Sequence, residues 1–99
     1  MDSVACGKCH AELGPVGKRR AFISVFAQGD EETLSWYFCK VCRVWMIEAY
    51  FDHFMGGEHT TLRGPYPEAA CAADVALAKT CGTPGDKWCG CAAHKKLGV

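Results

Sequence analysis

The chain of 99 residues carries 11 basic and 11 acidic side chains, 49% hydrophobic residues and 8 cysteines. The apolar fraction is that of one folded domain rather than a disordered tail, and no charge-free run approaches the ~18 residues of a membrane span. The start, Met1-Asp2-Ser3-Val4-Ala5-Cys6, has no basic stretch followed by an apolar one, so a cytoplasmic location is expected; in a reducing compartment so many cysteines are better explained by metal than by disulfides.

In chain order, Cys6-Gly7-Lys8-Cys9 comes first and Gly14-Pro15-Val16-Gly17 reads as a loop. Arg20 to Gln28 predicts a strand, Gly29-Asp30-Glu31-Glu32 a turn, and Thr33 to Phe38 a second strand that delivers the chain to Cys39-Lys40-Val41-Cys42. Arg43 to Phe51 predicts a third strand, with Trp45, Ile47, Ala49 and Phe51 on the face expected to enter the core and Val44, Met46, Glu48 and Tyr50 on the other. In the first strand Ala21, Ile23 and Val25 alternate with Phe22, Ser24 and Phe26, so both faces are apolar, and the C-terminal half is expected to cover the second. His53 to Pro67, punctuated by Gly56-Gly57, Gly64-Pro65 and Pro67, reads as a loop joining subregions 1–54 and 65–99 of a single domain. Pro67-Glu68 opens a helix that runs to Lys79 and stops at Gly82, with Cys71, Val75 and Ala78 on its packing stripe.

The two Cys-x2-Cys pairs, Cys6/Cys9 and Cys39/Cys42, are separated by 29 residues, the right length for a hairpin that returns the chain to the first turn. Each turn brings two sulfurs to the spacing of a tetrahedral ion, and together they supply four thiolates. The arrangement resembles the zinc-ribbon class over residues 6–51, with Cys6, Cys9, Cys39 and Cys42 as ligands. It departs from that class in having His10 and Arg43, not glycine, directly after the second cysteine of each pair. The same residues admit rivals: rubredoxin-like iron in the four thiolates, c-type haem at Cys6-x2-Cys9-His10 with Met46 or Met55 as a further ligand, or a redox pair, which would need a βαβ setting absent here.

Cys81, Cys89, Cys91 and His94 fall within 14 residues around a reversing segment, Gly82 to Trp88, and predict a second, Cys3His zinc site. Cys91 and His94 share one face of a short C-terminal helical turn, and Gly90 permits the tight backbone before it. Cys71 lies about 15 Å along a helix from Cys81 and belongs to the core, as a small buried hydrophobe. Asp52-His53 and Glu58-His59 are discounted as a metal site because such spacing arises readily in a polar loop.

The fold expected is therefore α+β: a three-stranded antiparallel, zinc-ribbon-like sheet, one helix and a C-terminal zinc knuckle, holding two Zn²⁺ per chain. Four ligands close each site, the mark of structural metal. No nucleophile elbow, phosphate-binding loop or dinucleotide fingerprint is present in the sequence, so no enzymatic activity is expected. A protein-interaction or adaptor role is anticipated, through aromatics such as Trp36, Tyr37, Trp45 and Trp88, of which Trp88 is the one expected to be exposed, and through Arg19 and Arg20. Nucleic-acid binding through Lys8, Lys18, Arg19, Arg20, Lys40 and Arg43 is the alternative that the ribbon resemblance implies. It is disfavoured because a net charge of zero falls to about −3 once seven thiolates and two Zn²⁺ are counted. No membrane contact is expected, and an exposed ribbon face could also join two copies of the chain.

Overall fold

The N-terminal turn is flanked by two short strands, β1 (Val4–Ala5) and β2 (Glu12–Gly14), which pair antiparallel in the computed structural model, whose described residues are 4–27, 30–53, 56–86 and 88–97. A turn of 3-10 helix at Val16–Lys18 leads to β3 (Ala21–Ala27), and the chain then meanders through β4 (Asp30–Cys39), β5 (Val44–His53) and β6 (Gly57–Pro67). These four form one antiparallel sheet in the order β3-β4-β5-β6. Helix α1 (Glu68–Lys79) lies against β3, β5 and β6, and the short α2 (Ala92–Leu97) packs on α1 and β3.

Alternation along the strands decides which side is buried. Ile23, Leu34 and Ala49 stand side by side on three neighbouring strands, as do Ala21, Trp36 and Ile47, and these rows face the helices. Cys71, Val75, Ala78, Cys81 and Ala93 meet them from the other side and complete the principal core. The face expected from Trp45, Ile47, Ala49 and Phe51 is the one that enters this core, and Cys71 is 5% exposed within it. The start of α1 is fixed to the sheet by Trp45, whose Nε1–H donates to the Glu68 carbonyl at 3.1 Å, and by Arg43, whose guanidinium meets the Glu68 carboxylate at 2.6 Å.

Three expectations are corrected. The sheet has four strands and not three, because the segment read as a loop is β6. Its middle, Thr60-Thr61-Leu62, suits a pleated strand, whereas Gly57 opens it and Gly64 marks an irregularity within it. Gly64, at φ +114°, lies where β6 carries an extra residue opposite Trp45 to Ile47, and a Cβ there would come within 2.8 Å of the Trp45 carbonyl. The turn read at Gly29 to Glu32 is shorter, since β4 already begins at Asp30, pairing with Ala27; Gln28 and Gly29 lie outside the described residues.

The third correction concerns the second face of the sheet. The C-terminal helices cover the first face, not the second. At one end of the second face Val4, Tyr37 and Met46 form a small cluster under the N-terminal ribbon. Among the described residues the C-terminal half reaches it through the loop after Cys81, which runs along the outer edge of β3. There Ser24 N–H donates to the Pro84 carbonyl at 2.7 Å, and Trp88 stands edge-on to Phe26 with ring centroids 4.7 Å apart.

Candidate metal centres

The two cysteine turns are built alike. In each, the N–H of the residue after the second cysteine donates to the carbonyl of the first, His10 to Cys6 at 2.9 Å and Arg43 to Cys39 at 2.8 Å. One turn joins β1 to β2 and the other joins β4 to β5, so both are held by strand pairing. The first turn also sits on the sheet, because Gly7 N–H points at the Met46 sulfur at 3.4 Å and a Cβ on Gly7 would lie 3.0 Å from Pro65 Cδ.

This places Cys6, Cys9, Cys39 and Cys42 together, and Cys81, Cys89, Cys91 and His94 form a second group; within each group the ligand atoms all lie within 4.8 Å of one another. All eight cysteines are free thiols. The individual separations discriminate between metal and disulfide. Cys9 and Cys39 sulfurs are 3.7 Å apart and Cys81 and Cys89 sulfurs 3.8 Å. A disulfide requires about 2.05 Å, whereas four ligands at about 2.3 Å around a tetrahedral ion lie about 3.8 Å from one another. His94 Nδ1 stands 3.2 Å from the Cys91 sulfur and 3.5 Å from that of Cys81, consistent with a nitrogen completing the second set.

Electrostatics differ around the sulfurs. The Cys6 thiol is held down to about 7 because the Cys9 and Lys8 backbone N–H groups point at it, in opposition to burial. Cys42 is pushed up to about 12, chiefly by its hydrogen bond with the Cys9 sulfur and then by burial. In the second group burial raises Cys81, while hydrogen bonding from the Thr83 hydroxyl lowers Cys89. A divalent cation held there would replace these protons and take over the role of the internal hydrogen bonds.

His94 is 7% exposed, and its Nε2 is buried without a hydrogen-bond partner among the described residues, so the ring is turned to present Nδ1 to the sulfurs. Pro65 and Thr83 support the two groups and were not anticipated, and Met46, named only as a candidate haem ligand, instead packs its sulfur against the first turn; sequence spacing carries no signal of these approaches. No third ligand group occurs among the described residues. Glu58 instead accepts the Tyr50 hydroxyl, and His59 stacks on Phe51 at 4.8 Å. His53 lies outside the described side chains.

The aromatics and cations anticipated for partner binding are dispersed. Trp36 and Tyr37 are 2% and 1% exposed and Trp45 is 7% exposed, so these three are core residues and present no surface; the apolar rows of β4 and β5 claim them. Trp88 is 76% exposed. Arg19 turns to the second face, with Nη1 donating to Ser35 Oγ at 3.0 Å and its guanidinium 3.7 Å from the Phe22 ring centroid. Arg43 is engaged by Glu68, while Lys18, Arg20 and Lys40 share one groove. No family model, curated protein or solved structure matches the chain. The two cysteine turns are compatible with zinc-ribbon-like knuckles, on a four-stranded sheet with a second ligand group added. The chain is thus a small α+β domain with two groups able to hold metal ions.

Proposed function

We propose that the chain is a protein-interaction module in which two Zn²⁺ ions act as structural staples. The observation that carries this reading is the completeness of both ligand groups: each brings four soft or borderline donors to one point at tetrahedral separations, leaving no position for water or substrate. Thiolate and imidazole suit Zn²⁺ in both groups, and S4 alone in the first also suits iron. Each ion would reinforce the packing between elements that already touch. The first links the β1–β2 ribbon to the end of β4, and the second links the end of α1 to α2. A structural zinc contributes on the order of 10 kcal/mol to folding, comparable to the net stability of a whole domain. What such a molecule offers is a rigid surface, on which Trp88 and Val41, 76% and 82% exposed, are candidate contacts.

Elemental analysis of the native protein with an absorption spectrum of the same sample tests the metal assignment. Two zinc per chain without a visible band is expected; iron with visible colour overturns it in favour of electron transfer. Affinity capture with the zinc-loaded chain, with and without nuclease, tests the role. Captured proteins are expected to survive nuclease, and loss of all of them moves the reading to nucleic acid.

A further inference from the structure

Beside the first centre, β2, the segment after it and the second cysteine turn enclose a groove of about 370 Å3. Lys18, Arg20 and Lys40 line it, all exposed, against one acidic side chain, Glu12. None of the three cations is in an ion pair among the described residues. Leu13 and Val41 supply the groove's aliphatic surface, and Val41 is 82% exposed. Isolated exposed valines are common, yet this one stands at the tip of a metal-fixed turn with a cation directly before it in sequence.

We infer that this groove binds a short peptide segment of a partner protein that carries one or two carboxylates next to an aliphatic side chain. The inference rests on the protein-interaction reading above and names the surface and the partner's chemistry. Charge complementarity selects a carboxylate-bearing ligand, and two further observations separate a peptide from a nucleic-acid strand. First, single strands are held by bases stacking on free aromatic faces. The aromatic ring in this groove, Phe38, is already engaged by Trp45 with centroids 4.8 Å apart and by the Arg20 guanidinium at 5.5 Å. Second, Cys39 forms part of the groove wall, and four thiolates around Zn²⁺ leave that centre with two negative charges. These offset the cations at long range, where a polyanion is recruited, but not at contact distance, where single carboxylates pair with ammonium and guanidinium groups.

The test is a nuclear magnetic resonance titration of the zinc-loaded full chain with a short peptide alternating aspartate and leucine. A peptide alternating aspartate and serine and an oligothymidylate serve as comparisons. Amide shifts are expected at 11–13, 18–20 and 38–41, with the aspartate–leucine peptide binding about tenfold tighter than either comparison. Lys18→Glu with Lys40→Glu is expected to weaken it about tenfold or more, and Val41→Ser about threefold to tenfold. Both variants are checked for two zinc per chain, so that a folding defect is not read as lost binding. Larger shifts with oligothymidylate overturn the inference, as does equal binding of the serine peptide, which would reduce the groove to charge alone. Shifts elsewhere, or none, also overturn the groove, while the wider interaction reading stands or falls separately on the nuclease-resistant capture.

Discussion

His10 and Arg43 occupy equivalent places in the two cysteine turns: each donates its backbone N–H to the first cysteine of its pair, and each has a positive φ, 65° and 56°. A side chain in that left-handed region costs about 1–2 kcal/mol. Glycine removes the strain but adds freedom to the unfolded chain. His10→Gly is therefore expected to stabilise the protein by about 0.5–1 kcal/mol. Arg43→Gly gains less, because it also gives up an exposed pairing with Glu68. Thermal melts with excess zinc check this; a lower melting temperature for His10→Gly would show that its imidazole contributes something not evident in its exposed position.

The second ligand group is separable from the first by substitution. His94→Ala is expected to leave one metal ion per chain, and His94→Cys to retain two, since it replaces a borderline donor by a soft one at the same place. Cobalt(II) spectra check the outcome, because the ligand-field bands of an S3N site shift when nitrogen becomes sulfur. Cys71→Ser, in the core and outside both groups, should leave the metal count at its original value.

Glu32 is 6% exposed on the core face of the sheet, and its carboxylate is met by Arg63 at 3.3 Å from across β5. Arg63→Ala leaves that carboxylate without its cation. Since the Arg63 side chain is itself 42% exposed, the cost is discounted for solvent screening to about 1–3 kcal/mol. Glu32→Leu combined with Arg63→Met should recover most of the loss. Chemical denaturation of the zinc-loaded proteins measures both, and a double variant no better than the single one would count against the pairing.

Tyr50 donates its hydroxyl to Glu58, and that hydrogen bond, followed by burial and the nearby Asp52 and Glu31 charges, pushes the phenol from 10.0 up to about 12. The folded chain thus holds this proton more tightly than the unfolded one. The associated stability is present below pH 10 and is lost as pH rises from 10 to about 12. Ultraviolet titration of the phenolates should show Tyr50 ionising late in wild type, alongside Tyr37, whose burial also raises its hydroxyl, and only Tyr50 moving earlier in Glu58→Gln. An unchanged curve in that variant would remove Glu58 as the cause.

What was legible in the sequence was whatever repeats at short range. Cys-x2-Cys specifies a turn by itself, alternation in Arg43 to Phe51 specifies which face is buried, and Pro67-Glu68 marks a helix start. The eight ligand candidates come together as their spacing implied. β6 was illegible because glycine and proline carry one message locally and another in context. Gly64-Pro65 forms a bulge at which the backbone passes close to the Trp45 carbonyl and the Met46 sulfur, and only the neighbouring β5 supplies those contacts. The burial of Trp36 and Tyr37 on opposite faces of one strand was likewise hidden. It needs both the helices on one side and the N-terminal ribbon on the other, and the ribbon's docking rests on contacts between residues some forty positions apart, such as Gly7 with Met46.

The described residues between Cys81 and Cys89 include no helix or strand, yet they screen the outer margin of β3 by presenting the Pro84 carbonyl to Ser24. Both ends of that loop belong to the second candidate ligand group. Bonds to an ion held there would therefore also keep the outer strand out of reach of other chains. A chain deprived of such an ion is expected to expose that margin, which carries Phe22 and Phe26. Solubility would then follow metal supply, and turbidity under chelation is expected to report on the second group before any loss of secondary structure does.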